Sequence, residues 1–407
     1  RFTYATYVNG VKQEDTPASD NLTHNASISV KQFDYLLGAT DAGLTMLKVH
    51  TSVIKVVSRP GSYTWLQEQL DNFNGNVFVL TQNVTFNDTY DRHQNNPYWI
   101  RGIDFKNGML YNKTFTLKGN DTYISGDNGA RIFTVSVSDI TINNITFVNG
   151  SADKGGALLF SAAAPNNHII NSNFTDNAAS VSGGAVFFNT PSDYILIENS
   201  TFDSNTAPEG GAITFNKVNN NDLYHNMNIV SSNFTNNRAT NAHGEGGSAM
   251  LINMVYGVNF NQCIFDSNIA NSNGALRFNG FNDVHYTDCE FTDNEAANGG
   301  AMYYYTTGTG AHTNVEYLNC NFTNNKATVK NGGAMYVIAD NVDVIGCDFT
   351  DNHAESWAGA IIVGDKINNN FQNTENFNVV NSTFNRNTAI YAGAIDTYGT
   401  ENAHIIN

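Results

Sequence analysis

Short segments of alternating apolar and polar residues recur along most of the chain at a regular interval. A Phe-x-x-Asn-x-Ala motif begins at Phe174, and further copies or close variants follow at intervals of 26 to 35 residues. Each copy is followed, 8 to 12 residues after the Phe, by a small-residue step such as Gly183-Gly-Ala. A period of this length predicts a solenoid, in which each repeat packs only against its neighbours.

Three alternating segments can be aligned within each repeat. Apolar residues lie seven and five positions before the Phe, as at Ile195 and Ile197. The Phe and a Ser or Cys two residues before it share a side, and the first and third residues after Gly-Gly-Ala are apolar, as at Val186 and Phe188. Alternation with a period of two predicts strands. Three short parallel strands per coil predict an all-β parallel β-helix.

The repeated residue types predict internal ladders rather than a chemical site. Stacked Phe rings would fill the core, and the Asn three residues later would pair its amide with the backbone and with the next Asn. The Gly pair would allow a bend that a Cβ atom would obstruct. The predicted ladder residues are Phe174, Phe202, Phe234, Phe265, Phe291, Phe322, Phe349, Phe384, Asn177, Asn205, Asn237, Asn268, Asn294, Asn325, Asn352 and Asn387.

The chain divides into three regions by this pattern. Residues 1–57 form an N-terminal extension without repeats, and no role can be assigned to it from sequence. Residues 58–146 contain irregular first coils and a predicted capping helix, in which Thr64 and Gln67 match a capping box and Leu66 and Leu70 form a stripe. Residues 147–407 are regular coils that end mid-coil. A helix at the start would cover the apolar core of the first coil.

Composition narrows the classes of partner. Of 407 residues only 14% are charged, and the net charge is −17. This balance disfavours nucleic acid and anionic membrane surfaces, and no apolar run approaches the roughly 20 residues of a membrane span. No motif predicts a cofactor. Four cysteines occupy the slot two residues before the Phe and predict an interior ladder: Cys263, Cys289, Cys320 and Cys347.

Asn-x-Ser/Thr sequons are frequent, although many arise by chance in a chain rich in Asn and Thr. Each is an acceptor for N-glycosylation if the chain is extracellular. The glycosylation candidates within and near the coils are Asn83, Asn112, Asn144, Asn173, Asn199, Asn233, Asn321 and Asn381.

The motifs as a group resemble the adhesin-like surface proteins of methanogenic archaea. The resemblance rests on the Gly-Gly-Ala and Phe-x-x-Asn repeats and on segments such as 115–120, 126–133 and 140–150, and it covers residues 58–407. It implies a secreted, right-handed parallel β-helix at the cell surface. It also implies a non-enzymatic role in adhesion or envelope structure, with a surface protein or glycan of a host or microbial cell as partner.

Two alternative functions remain open at this point. The open coil at the C-terminal end could pair with residues 1–57 of another copy, which would make the chain a self-assembling subunit of a filament or sheath. Many parallel β-helices are polysaccharide lyases or hydrolases, whose sites need clustered carboxylates. The best candidate cluster is His285, Glu316 and Asp343 on consecutive coils, with Asp283 beside them.

The second residues after the Gly-Gly-Ala steps are predicted to form an outward-facing row. Several members of this row are large and apolar, which indicates a covered surface. The cover could be the chain's own segments, a partner protein or a glycan. The predicted partner or glycan face consists of Leu159, Phe187, Leu251, Tyr303, Tyr336 and Ile362.

Overall fold

The repeats form a stack of about ten parallel β-coils in a computed structural model of the protein. The predicted parallel β-helix is therefore confirmed, together with a helix near the N-terminus. The structure describes residues 3–4, 7–8, 11–12, 16–17, 59–91, 102–105, 114–163, 165–217, 223–305, 314–367, 370–372, 374–398 and 400–406.

Each regular coil contains four strand positions separated by polar corners. In one coil, positions 1 to 4 are Leu196–Glu198, Thr201–Asp203, Thr206–Ala207 and Ile213–Phe215. Positions 1, 2 and 4 correspond to the three segments predicted from alternation. Position 3 is a further short strand that follows the repeated Asn and forms an eight-stranded sheet of its own. Its two to five residues are too few for the alternation to be recognised in the sequence.

Positions 1 and 2 run through the whole stack, and two long strands cover both positions. Position 1 comprises Val77–Leu80, the first halves of Phe115–Ser125 and Ile140–Val148, then His168–Ile170, Leu196–Glu198, Tyr224–Val230, the second halves of Met250–Asn261 and Leu276–Thr287, then Val315–Leu318, Val342–Ile345, Phe377–Val380 and Ala403–Ile406. Position 2 comprises Val84–Thr85, the second halves of Phe115–Ser125 and Ile140–Val148, then Asn173–Thr175, Thr201–Asp203, Asn233–Thr235, Ile264–Asp266, Glu290–Thr292, Asn321–Thr323, Asp348–Thr350 and Thr383–Asn385.

Positions 3 and 4 complete the coils. Position 3 comprises Ser151–Lys154, Ala178–Ser182, Thr206–Ala207, Arg238–Ala239, Ile269–Asn273, Glu295–Asn298, Lys326–Ala327 and His353–Ala354. Position 4 comprises Ile103–Phe105, Phe133–Val135, Leu158–Phe160, Val186–Phe188, Ile213–Phe215, the first halves of Met250–Asn261 and Leu276–Thr287, then Met302–Tyr305, Met335–Val337, Ile361–Val363 and Ile395–Asp396. Antiparallel pairs are Thr3–Tyr4 with Thr16–Pro17, Tyr7–Val8 with Val11–Lys12, and Asp365–Ile367 with Asn370–Gln372.

The position 2 Phe residues form the predicted aromatic ladder. From Phe174 to Phe384, neighbouring ring centroids lie 4.6–5.0 Å apart and the planes differ by at most 9°. Isolated rings avoid this face-to-face arrangement because their quadrupoles repel. The coil rise therefore imposes the stack, and burial of large apolar rings outweighs the electrostatic cost.

The repeated Asn residues form a second internal ladder, as predicted. Asn205 Oδ1 accepts hydrogen bonds from the backbone N–H of Asn177 at 3.1 Å and from Asn177 Nδ2 at 3.0 Å. Asn205 Nδ2 donates to the carbonyl of Phe174 at 2.9 Å and to Asn237 Oδ1 at 3.0 Å. The pattern repeats to Asn387, and every ladder Asn except this last one is fully buried. Each amide thereby satisfies corner groups that would otherwise be orphaned in the core.

The Ser and Cys slot is a third interior row. Ser172 N–H donates to Ser200 Oγ at 3.1 Å, and Cys320 N–H donates to Cys347 Sγ at 3.4 Å, so thiols take the place of hydroxyls. The four cysteines are free and buried, which confirms the predicted ladder. A hydrogen bond with Cys289 and burial together raise the pKa of the Cys263 thiol.

The N-terminal helix, Tyr63–Asp71, begins two residues earlier than the predicted capping box places it. Ser62 is the N-cap, and its Oγ accepts from Trp65 N–H at 3.2 Å. Thr64 instead donates its hydroxyl hydrogen to Asp91 of the short helix Asp88–Asp91. Leu66 and Leu70 pack into the core, which agrees with the predicted apolar stripe.

Buried Gln67 joins this helix to the first position 4 strand. Its Oε1 accepts from Asp104 N–H at 2.7 Å, and its Nε2 donates to the Asp104 carbonyl at 3.1 Å. Because these bonds satisfy both backbone groups of a strand residue, they hold the helix against the early coils in one orientation.

Candidate functional site

The predicted partner face is largely buried. Phe187, Leu251, Tyr336 and Ile362 are at most 3% exposed, and Leu159 and Tyr303 are half-buried. The prediction that these residues offer a contact surface is therefore wrong for the four buried ones. Alternation correctly places them on the outer side of position 4, but it does not reveal what lies over that side.

The chain itself covers this row, as one of the alternatives expected. The Gly corner that precedes position 4 lies over the outward residue of the next coil. A Cβ atom on Gly155 would lie 3.1 Å from Phe187 Cβ, and one on Gly332 would lie 3.1 Å from Ile362 Cγ2. Both glycines have positive φ, at +60° and +67°. These corners thus require Gly for two reasons: the backbone is left-handed, and the next coil approaches closely.

One charged residue belongs to the same covered row. The Arg277 guanidinium lies 4.5 Å from the centroid of the Tyr303 ring, and Nη2 donates to Glu245 Oε2 at 3.0 Å. Burial lowers the pKa of Arg277, against the opposing effect of Glu245. Burial alone would raise the pKa of Glu245, but hydrogen bonds from Asn279 and Arg277 hold this pKa below its usual value. The Arg277 side chain is buried whereas that of Glu245 is 48% exposed, so this ion pair links the covered row to the surface.

The carboxylate and histidine cluster does form on the outer side of position 1. His285 Nδ1 lies 2.9 Å from Glu316 Oε2, and His285 Nε2 lies 3.1 Å from Asp283 Oδ1. Asp343 follows Glu316 in register but accepts a hydrogen bond from Asn378 at 2.7 Å. The side chains of His285, Asp283 and Glu316 are 34–41% exposed. The structure therefore brings His285 into contact with Asp283 and Glu316, and leaves Asp343 outside these contacts.

Both ring nitrogens of His285 lie within hydrogen-bond distance of carboxylate oxygens, and all three side chains stay partly exposed. In the described ranges, no group of three or more His, Cys, Asp and Glu side chains is arranged to hold a metal ion. The contacts tie neighbouring coils together across the surface.

A second polar cluster lies in the core. The hydroxyls of Tyr286 and Tyr304 are 2.5 Å apart, and Tyr317 stacks on Tyr286 with ring centroids 4.9 Å apart. All three are fully buried, and burial raises the pKa of each well above its usual value. These phenols are closed off from solvent and serve packing.

A shallow surface trough runs along position 2 and was not predicted. It lies between the residues that precede and follow each ladder Phe, across four coils, and has a volume of about 690 Å³. It is lined by Glu290, Thr292, Asn321, Thr323, Asp348, Thr350, Thr383 and Asn385. The two residues that flank an inward Phe must both point outward, so strand alternation alone places these two rows on the surface.

The glycosylation candidates lie on this same side of the solenoid, apart from Asn112, which is outside the described residues. Asn173, Asn233 and Asn321 begin position 2 strands. The others lie at the corner between positions 1 and 2, one or two residues before a position 2 segment: Asn83, Asn144, Asn199 and Asn381.

Comparisons with known proteins found no relative of this chain. No family model, curated protein or solved structure matches it. Among the helices that the structure describes, none is long and apolar enough to cross a membrane.

Proposed function

We propose that this chain is a non-enzymatic, extracellular, adhesin-like protein whose solenoid acts as a rigid stalk. The supporting observation is the Asn ladder, which continues from Asn177 to Asn387 without a break. Each coil is joined to the next by the same buried hydrogen bonds and by a stacked Phe pair. A rod of this kind resists bending because every coil is held at several points around its perimeter.

The proposed partner is a protein or glycan on the surface of a host or microbial cell. The resemblance of the repeats to methanogen adhesin-like proteins supports this choice. With the position 4 row covered by Gly corners, contact would use the exposed residues of the lateral surface. About ten coils with a rise of roughly 4.8 Å give a stalk of about 50 Å.

A bead assay tests the proposal. The unglycosylated full chain would be coupled to beads, and their retention under flow would be measured on cells and on immobilised polysaccharides, together with chromatography of any released sugars. We expect retention on at least one surface and no sugar release, for the wild type and for Glu316→Gln alike. Sugar release by the wild type that Glu316→Gln abolishes would establish the polysaccharide-degrading alternative. Absence of retention on every surface would contradict the adhesin role.

A further inference from the structure

Seven sequons converge on one longitudinal strip of the solenoid. We call this surface the sequon strip. Its acceptor residues are Asn83, Asn144, Asn173, Asn199, Asn233, Asn321 and Asn381, and its hydroxyl residues are Thr85, Thr146, Thr175, Thr201, Thr235, Thr323 and Thr383. All seven threonines are in position 2 segments and are at least partly exposed.

Strand geometry explains why whole sequons share this face. In Asn321-Phe-Thr323 the Phe points into the core, so the residues on either side of it both point outward. Strand pairing then aligns one sequon with the next, because Asn173 lies in register with Thr146 on one side and Thr201 on the other. At the corner sequons, Asn144, Asn199 and Asn381 have φ values of 45–55°, a left-handed conformation that Asn tolerates. The corner therefore projects the Asn beside the same strip.

The acceptor amides are accessible. Six of the seven Asn residues are exposed, and Asn233 is half-buried. Within the part of the chain that the structure describes, no hydrogen bond involves the side-chain amide of Asn233, Asn321 or Asn381. By contrast, the ladder Asn residues use both amide atoms and are buried. Three other strip residues donate the amide nitrogen: Asn144 to the Gly119 carbonyl at 3.3 Å, Asn173 to Thr146 Oγ1 at 3.5 Å and Asn199 to Asn171 Oδ1 at 2.6 Å. None of these three bonds lies in the core, so a glycan at these positions would replace an exposed or partly buried contact rather than a core one.

The trough supplies space around one of these amides. Asn321 lies between Glu290 and Asp348 in the row that forms one side of the trough, and Thr323 lies in the opposite row. The trough is open to solvent along its length and has a volume of about 690 Å³. A sugar on Asn321 can therefore lie along the surface without displacing a core residue.

We propose that the sequon strip is N-glycosylated, so that the stalk carries its glycans along one side. In the reaction, the amide Nδ2 of Asn bonds to the anomeric carbon of an oligosaccharide carried on a polyisoprenyl phosphate or diphosphate. The bond from that carbon to the phosphate oxygen breaks, the lipid leaves as its phosphate, and one amide proton passes to a base. The proposal depends on the extracellular location in the proposed function, but it does not depend on adhesion. A one-sided glycan coat leaves the other lateral faces free for contact.

Site mapping of the secreted protein tests this proposal. The full chain would be produced behind a secretion leader in a eukaryotic host that transfers N-glycans, and the folded protein would be digested after enzymatic deglycosylation in ¹⁸O-labelled water. We expect labelled Asp at most strip positions, including Asn233, Asn321 and Asn381. A further sequon, Asn149-Gly-Ser151, lies off the strip because it follows a position 2 segment instead of preceding or beginning one. Folded secreted protein that lacks glycans on the strip, or carries them only at Asn149, would overturn the proposal.

Two substitutions at one position provide a matched control. Thr323→Val removes the sequon while keeping the shape and strand propensity of the side chain, whereas Thr323→Ser keeps the sequon. We expect the Val variant to lose exactly one glycan, and the Ser variant to retain it, with the same melting temperature for both. Gold-labelled lectin should mark one edge of the particle in electron micrographs, and label on all sides would contradict the one-sided coat. Because the bead assay uses unglycosylated chain, loss of the strip proposal would leave the adhesin proposal standing.

Discussion

Removing one amide from the Asn ladder should destabilise the coils on both sides of it. In Asn268→Ala four buried hydrogen bonds disappear. Asn268 Oδ1 accepts from Asn237 N–H and from Asn237 Nδ2, both at 3.0 Å. Asn268 Nδ2 donates to the Phe234 carbonyl at 2.8 Å and to Asn294 Oδ1 at 3.0 Å. The Ala side chain can neither accept nor donate, so all four bonds are lost.

The size of the effect follows from the groups left without partners. The buried Asn237 N–H loses its acceptor, and the amide groups of two ladder neighbours each lose one bond. A buried polar group left unsatisfied costs about 1–3 kcal/mol, so we expect a total loss of about 2–4 kcal/mol in the free energy of unfolding. Asn261→Ala is the matched control, because Asn261 is an exposed strand residue of the preceding position 1 strand. We expect it to change stability by less than about 0.5 kcal/mol.

Urea unfolding followed by far-ultraviolet circular dichroism would measure both variants. A repeat array can open in segments, so amide hydrogen exchange should be measured as well. We expect faster exchange at Asn237 and in the adjoining coils of Asn268→Ala, and near-native exchange far from the substitution. Equal stability of Asn268→Ala and Asn261→Ala would refute the view that the ladder holds the coils together.

Three further predictions concern the interior. Gly184→Ala should destabilise the stack by about 2–4 kcal/mol, measured by thermal melting, because the new Cβ would lie 2.1 Å from the Gly211 carbonyl oxygen. Burial raises the pKa of Tyr286, Tyr304 and Tyr317, so their stabilising contribution should be complete below the unfolded Tyr pKa of about 10 and should decline above it. Tyrosinate absorbance from these three should appear only on alkaline unfolding, and earlier titration would contradict their burial. A thiol reagent should label none of the cysteines in the folded chain and all of them in denaturant, because all four are buried: Cys263, Cys289, Cys320 and Cys347.

Interior features of the solenoid could be predicted from sequence because they repeat. Residues equivalent to Phe202 and Asn205 recur from coil to coil, so a wrong assignment at one repeat is corrected by the others. The start of the helix occurs once, and there the capping box at Thr64 was wrong, since Asp91 binds Thr64 and leaves Ser62 as the cap. That competition depends on a contact between residues 27 positions apart, which a local motif does not contain.

The candidate sites were harder to predict for a related reason. Whether Phe187 is exposed depends on the path of the preceding Gly corner, and the residues between the Asn and the Gly-Gly step vary in number between coils. The cluster of His285 with Glu316 could be predicted because both lie in aligned strands. The sequon strip could not be predicted from sequence, because the turn between positions 1 and 2 determines that corner and strand sequons share a face.

Mechanical extension of a single chain tests the stalk role most directly. The protein would be held at residues 59 and 406 and pulled in an optical trap. If the ladders make a rigid rod, the chain should stay at fixed length under load and then lengthen in discrete steps. Each coil of about 30 residues should release about 100 Å of extended chain. Smooth extension at low force, with no steps of this size, would contradict the proposal that the solenoid is a load-bearing stalk.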